Sequence, residues 1–162
     1  MAYLLDANVF ISAKELHYGF DFCPAFWDWL ITNNSTGQVF SIEKVNDEIK
    51  VVANELSDWA TARGTKFFLR PNPAMVPYFG KVSEWATSQG YTQAALNTFL
   101  QVADYYLVTH ALAQGHTLVT HEIAASTVNK VKIPNACIGL GIKFMTPYEM
   151  LRTERARFVL GR

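Results

Sequence analysis

Short apolar segments alternate with helical patterns along the whole chain, and this alternation is the strongest constraint on its fold. The predicted strands are residues 3–5, 38–42, 67–69, 117–120 and 137–145. Strands separated by helices are typical of a parallel sheet covered by helices on both faces. We therefore predict an α/β/α sandwich with a central parallel sheet of four to five strands. In such sheets ligands bind outside the carboxyl ends of the strands.

The helical segments are defined by apolar residues three and four positions apart. One helix is predicted to start in Asp6-Ala7-Asn8, and others cover residues 25–31, 43–63, 76–89, 92–113 and 147–157. Glycines at 64, 90 and 115 stand where three of these helices should end.

Length and composition predict one folded domain over residues 1–162. Half of the residues are hydrophobic and 17% are charged. We expect a cytoplasmic protein with no membrane association, because no apolar run approaches the roughly 18 residues that cross a bilayer and no signal-peptide pattern begins the chain. Cys23 and Cys137 are read as reduced thiols. No histidine has a zinc-site spacing with a cysteine.

The balance of 14 basic and 14 acidic residues argues against a protein that coats nucleic acid by bulk electrostatics. A nucleic-acid enzyme with an acidic pocket bordered by basic residues remains compatible with a net charge of zero. Asp6 ends the first strand and Glu122 follows the fourth, so both should project from one edge of the sheet. The alternatives are that Asp6 caps the next helix and that Glu122 is a solvated loop residue.

Asp104 shares a helix face with the apolar residues Leu107, Val108 and Ala111. No basic residue occurs between Lys81 and Lys130 to pair with it locally. A charged aspartate there needs a hydrogen bond, a cation or access to solvent at the edge of the face.

Glu48 has similar apolar neighbours on the preceding helical segment. Glu55 lies on the same face two turns further on, but Glu48 is nearer the helix start and hence the sheet edge. Carboxylates that converge repel each other, and a divalent cation removes that objection. Oxygen ligands without His or Cys suit Mg²⁺ or Mn²⁺, which activate water and stabilise a reacting phosphodiester.

With these positions in view, the sequence resembles the PIN-domain nucleases. The matching segments are Tyr3–Phe10, Glu48, Ala103–Ala111 and Leu118–Glu122, in the order found in that family. The resemblance implies a metal site formed by Asp6, Glu48, Asp104 and Glu122, with Asn8 and Thr120 holding the carboxylates by hydrogen bonds. It implies hydrolysis of RNA to 5′-phosphate and 3′-hydroxyl ends. The chain's size resembles the PIN toxins of bacterial toxin–antitoxin pairs, which implies a cognate antitoxin and a possible homodimer.

One segment departs from the family pattern. Thr120-His121-Glu122 stands where Thr-Asn-Asp is common, so Glu122 is one methylene longer than the family's aspartate. His121 could contact a phosphate or take part in proton transfer, and the alternative is a packed or exposed histidine without a role in the reaction.

The other possible substrate contacts are basic. They are Lys14, after the first motif, and the tail residues Arg152, Arg155, Arg157 and Arg162. A solvated terminal helix explains the tail equally well. The aromatic run over residues 18–29 is explained by core packing more simply than by base stacking or antitoxin binding.

Three rival functions follow from the same residues. A phosphatase with a nucleophilic aspartate usually has a second aspartate two residues on, where this chain has Asn8. A dinucleotide-binding module needs a glycine-rich turn after the first strand, and none is present. The remaining rival is a catalytically silent PIN-like scaffold that binds RNA or protein.

Overall fold

A computed structural model describes residues 2–161 of the chain. Its centre is a five-stranded sheet in the order β3-β2-β1-β4-β5, with every pair parallel. The strands are β1 (Tyr3–Leu5), β2 (Val39–Ile42), β3 (Phe68–Leu69), β4 (Thr117–Val119) and β5 (Phe144–Met145). The predicted parallel α/β architecture is therefore confirmed.

Helices surround the sheet. They are α1 (Ala7–Ser12), α2 (Pro24–Ser35), α3 (Glu43–Ile49), α4 (Glu55–Arg63), α5 (Val76–Ser88), α6 (Gln93–Gln101), α7 (Ala103–Gln114), α8 (Ile133–Leu140) and α9 (Pro147–Thr153). A π-helical turn, Ala13–His17, continues α1. Single 3-10 turns cover Gly64–Lys66 and Pro73–Met75.

The central strands form the core of the molecule. Leu4 and Leu5 of β1, like Leu118 and Val119 of β4, are completely buried. Strands that are covered on both faces need apolar residues on both faces, which explains why they are short continuous apolar runs rather than alternating patterns.

The single helix predicted over residues 43–63 is wrong, because the structure has two. Helix α3 ends at Ile49, and α4 begins after Asn54, whose side chain accepts a hydrogen bond from the backbone N–H of Ser57 at 3.0 Å. The Ser57 hydroxyl accepts in turn from the Asn54 N–H. This reciprocal cap starts a new helix. Val52, counted as part of the apolar stripe, is 61% exposed in the intervening loop.

The helix predicted over residues 92–113 is also two helices. Val102 adopts an extended conformation, φ −105° and ψ 169°, between α6 and α7. No glycine or proline marks this break. It matters for the site, because Asp104 now lies in the first turn of a helix instead of in its middle.

The predicted strand over residues 137–145 is a helix followed by a very short strand. Helix α8 has Pro134 in its first turn and is ended by Gly141 in the left-handed conformation, with φ 71°. A proline just inside the start and a glycine just past the end are helix signals. Only Phe144 and Met145 pair as β5. The terminal helix ends at Thr153, not at Arg157.

The two cysteines and the helices can be compared with the expectations for disulfides and membrane spans. Cys137 is buried, Cys23 is half-buried, and neither forms a disulfide within the described chain. Within residues 2–161, no helix is both long enough and apolar enough to cross a membrane.

Candidate active site

The strand order places a ligand site at the carboxyl ends of β1 and β4. The chain builds outward from β1 through β2 to β3, and then returns to add β4 and β5 on the other side of β1. The crevice at such a reversal is where open α/β sheets bind ligands. A cavity of about 720 Å³ opens there, and we call it the acid cleft. Its carboxylates are Asp6, Asp47, Glu48, Asp104 and Glu122.

The register of the sheet brings Asp6 and Thr120 together. Leu5 pairs with Val119, and the Asp6 N–H continues the ladder by donating to the Val119 carbonyl at 2.9 Å. The next residue of each strand therefore leaves the sheet at the same point. The Thr120 hydroxyl donates to Asp6 Oδ2 at 2.8 Å, and the Ala7 N–H donates to Asp6 Oδ1 at 2.7 Å. Asp6 also caps α1, so the residue both stands at the predicted edge of the sheet and serves as a helix cap.

Thr120 and Asn8 form a hydrogen-bonded support behind Asp6. The Thr120 Oγ1 atom accepts from the Asn8 side-chain amide at 3.2 Å and from the Glu122 N–H at 3.0 Å. Asn8 Oδ1 accepts from the His121 N–H at 3.1 Å. Thr120 is buried and its hydroxyl makes three hydrogen bonds, so it fixes the orientation of the Asp6 carboxylate.

Asp104 reaches the acid cleft from the first turn of α7, where the helix dipole favours a negative charge. Leu107, Val108 and Ala111 are buried below it, as their spacing from Asp104 predicts. Burial raises the Asp104 pKa to about 7, with smaller increases from Asp6 and other cleft carboxylates. Lys130 lowers this pKa in part.

The other cleft carboxylates feel the same environment. Burial raises the pKa of Asp6 to about 6, opposed by the Thr120 hydrogen bond and increased again by the charges of Glu122 and Glu48. Glu48 lies at the exposed rim on α3, and partial loss of solvent raises its pKa too. Glu55, the alternative to Glu48, belongs to α4 and does not line the cleft.

Glu122 also lines the cleft, but each of its carboxylate oxygens already has a partner in the protein. Its Oε2 accepts from the N–H of Ile133, the first residue of α8, at 2.8 Å. Its Oε1 lies 3.6 Å from Lys130 Nζ. Glu122 and Asp6 therefore each accept a hydrogen bond from the first residue of a helix, but of the two only Glu122 has a lysine of the described chain beside it.

The carboxylate oxygens of the cleft are suitable ligands for a hard divalent cation, but fewer than three of the described side chains are placed to bind one ion. Within residues 2–161, no three His, Cys, Asp or Glu side chains are grouped so that they could hold a metal ion. Mg²⁺ is usually held by one or two carboxylates, with water and phosphate oxygens completing its shell. Asp6 and Asp104 are the candidates for such a pair, because neither forms an ion pair with a described residue and burial raises the pKa of both.

The cations that line the cleft are Lys44 and Lys130, and neither was selected from the sequence. Lys44 stands four residues before Glu48, so helix spacing contained a signal for it. Lys130 comes from the loop before α8, where no periodic pattern exists. Lys14, proposed as a phosphate contact, is half-buried, pairs with Glu15 at 3.0 Å and does not line the cleft.

The other proposed substrate contacts within residues 2–161 do not line the acid cleft. The His121 ring packs with His17 and Tyr148, at 5.7 and 5.6 Å between ring centroids. Arg152 and Arg155 are exposed at and beyond the end of α9, and Arg162 lies outside the described residues. Within the aromatic run, Phe26 and Trp27 are core residues.

The comparisons with known proteins agree with this architecture. The family model described as a domain of unknown function, DUF4411, matches residues 3–158. No curated protein matches the sequence. VapBC2 from Rickettsia felis, bound to a DNA fragment from their promoter, has a similar structure with a TM-score of 0.56 and 14% identity, over 90% of this chain and 98% of that chain.

FitAcB from Neisseria gonorrhoeae is similar with a TM-score of 0.50 and 15% identity, over the same shares of the two chains, 90% and 98%. Both neighbours are PIN-domain proteins, and identities this low show the fold alone. The chain therefore belongs to the family described as domain of unknown function DUF4411, and its fold is PIN-like.

Proposed function

We propose that the chain is a ribonuclease that uses Mg²⁺ or Mn²⁺ to hydrolyse RNA phosphodiesters, leaving 5′-phosphate and 3′-hydroxyl ends. The observation that carries this proposal is the pair Asp6 and Asp104 in the acid cleft. Both carboxyl groups have pKa values raised towards neutrality at the topological switch point of a PIN-like sheet. Perturbed acids that converge in a cleft are typical of functional sites.

The residues of the cleft would have different roles in such a reaction. Asp6 and Asp104 would hold the cation, with Asp6 oriented by Thr120 and by the Ala7 N–H. When bound, the cation supplies an activated water and positive charge beside the phosphate. Lys44 and Lys130 would attract the RNA backbone, which five cleft carboxylates would otherwise repel.

We also propose that the ribonuclease is a growth-inhibiting toxin held inactive by an antitoxin protein. Its support is that both structural neighbours are toxin–antitoxin complexes. A homodimer and a cytoplasmic location belong to the same proposal.

The test is cleavage of a mixed RNA substrate by the purified protein, with new 5′-phosphate ends mapped by sequencing. Wild type is compared with Asp104→Asn, and Asp47→Asn is the matched control because Asp47 lines the same cleft from an exposed position. We expect discrete cuts from wild type and Asp47→Asn in Mg²⁺ or Mn²⁺, and none after chelation or in Asp104→Asn. Expression in bacteria should arrest growth with the same dependence on Asp104.

Equal cleavage by Asp104→Asn and wild type would contradict the assignment of the site. The second candidate function is the PIN-like scaffold that binds RNA or protein without cutting. The observation in its favour is that the described residues contain no preassembled group of three metal ligands. RNA binding without new ends, at every Mg²⁺ or Mn²⁺ concentration, would support that scaffold.

A further inference from the structure

A smaller cavity of about 270 Å³ adjoins the acid cleft, and we call it the side cavity. The two spaces share a wall formed by Thr98, Val102, Asp104 and Lys130. The side cavity and the acid cleft are therefore immediate neighbours, with Asp104 and Lys130 lining both.

The side cavity differs from the acid cleft in chemistry. Its inner surface is apolar and rigid, because Ala95, Phe99 and Val131 belong to the buried interior. Asp104 is its only carboxylate among the described residues, whereas the cleft has several. Asn129 adds a side-chain amide that both donates and accepts hydrogen bonds.

We propose that the side cavity binds one nucleobase of a single-stranded RNA whose adjoining phosphate lies in the acid cleft. This inference rests on the proposed ribonuclease function and adds the position of a base to it.

The match between the ligand and the two cavities is one of chemistry and size. A nucleotide joins a flat, weakly polar base to an anionic phosphate through one ribose. Its base suits an apolar space with an amide at the margin. Its phosphate would be attracted into the acid cleft by Lys44, by Lys130 between the two spaces and by the bound divalent cation of the proposed function. Cavities of roughly 300–1,000 Å³ hold drug-sized ligands, so 270 Å³ suits one smaller ring system.

The experiment measures binding of fluorescent RNA decamers by anisotropy in Ca²⁺, a hard cation that also takes oxygen ligands. In a series of decamers, each nucleotide in turn is replaced by an abasic ribose. The wild type is compared with Ala94→Phe, which fills the side cavity from an exposed position of α6. Ala62→Phe, at an exposed position of α4 that lines neither cavity, is the control.

We expect one abasic position to weaken wild-type binding by about tenfold, as removal of one stacked base does. Ala94→Phe should weaken binding of the unmodified decamer by a similar factor, and the same abasic position should then cost nothing further. Ala62→Phe should behave as wild type does. Asn129→Leu, which keeps the cavity apolar, should reduce differences in affinity between decamers that differ in that base.

Two kinds of failure are distinguishable. If wild type cuts RNA but the abasic penalty is unchanged in Ala94→Phe, or is absent at every position, the side cavity does not bind a base and the ribonuclease proposal survives. If wild type neither binds nor cuts any RNA, both proposals fail. An Ala94→Phe effect confined to binding of a partner protein would also overturn the base assignment.

Discussion

Asp6 and Glu122 leave the same edge of the sheet from the neighbouring strands β1 and β4, and both line the acid cleft. Their surroundings differ. Asp6 accepts hydrogen bonds from the neutral groups Thr120 Oγ1 and Ala7 N–H. Glu122 has Lys130 at 3.6 Å and the N-terminus of α8 at its other oxygen. The wall of the cleft at Asp6 therefore has a carboxylate with no paired cation among the described residues, whereas the wall at Glu122 has a carboxylate paired with Lys130.

From this difference we predict which carboxylates would hold an external cation. A neutral donor satisfies a lone pair but does not cancel a buried charge, so Asp6 and its neighbour Asp104 are stabilised by protonation or by a divalent ion. Glu122 is stabilised already. We therefore expect Glu122 to organise the loop before α8 and to position Lys130, with Asp6 and Asp104 as the ligands.

The largest effect should come from Asp6→Asn, which removes the charge and keeps an acceptor for the Ala7 N–H. We expect RNA cleavage to fall by about 1,000-fold, as when a transition-state-stabilising group is lost. Mg²⁺ binding, measured by calorimetry, should be lost as well. Full activity in this variant would remove the distinction between the two walls.

The second prediction concerns the pH dependence of stability without metal. Folding raises the pKa values of Asp6 and Asp104 above the ordinary value of 3.8, so the folded state binds protons more tightly. The free energy of unfolding should therefore increase by a few kcal/mol as the pH falls from 8 to about 4. Mg²⁺ binds the ionised carboxylates, so its stabilising effect should be larger at pH 8 than at pH 5.

His110 acts in the opposite direction and must be separated in that measurement. Burial lowers its pKa to about 4, so its contribution to stability is lost as the pH falls from 6.5 towards 4. The difference between wild type and Asp104→Asn, from urea unfolding at each pH, cancels the His110 contribution. A difference that does not vary between pH 4 and 8 would show that folding does not raise the pKa of Asp104.

The third prediction tests whether the Thr120 hydroxyl orients the Asp6 carboxylate. Thr120→Val keeps the shape and removes the hydroxyl that donates to Asp6 Oδ2. We expect a loss of about 10- to 100-fold in metal affinity or cleavage, which is usual for residues that orient a metal ligand. Thr109→Val is the control, because its buried hydroxyl donates within α7 to the Tyr105 carbonyl. Equal activity losses in both would indicate a general effect on folding.

The smallest effect is expected for Glu122→Gln. Glutamine keeps an acceptor for the Ile133 N–H and loses only a partly exposed ion pair, which is worth less than about 1 kcal/mol. Cleavage in saturating Mg²⁺ should fall by about fivefold at most. A loss as large as that of Asp6→Asn would make Glu122 a metal ligand and would contradict the division between the walls.

Much of the architecture could be predicted from the sequence, because it depends on local patterns. Buried parallel strands require short continuous apolar runs, and the runs at β1 and β4 also identified Asp6 and Glu122 as residues at the sheet edge. The spacing of Leu107, Val108 and Ala111 predicted a buried helix face below Asp104. Two errors occurred where one periodic pattern continues across two elements, as it does past Asn54 and Val102. A third occurred where a short apolar run, read as a strand over residues 137–145, belongs mostly to helix α8.

The amino-acid sequence alone is enough to predict the parallel sheet and the carboxylates at its edge, because strand and helix periodicities are local properties and parallel strands end at a common edge. Three features were visible only in the folded chain: the start of α7 at Ala103, the position of Lys130 in the cleft and its ion pair with Glu122. They were not predictable because the path of an irregular loop and the position of a helix break depend on how distant elements pack. The charges beside each carboxylate are fixed by that packing.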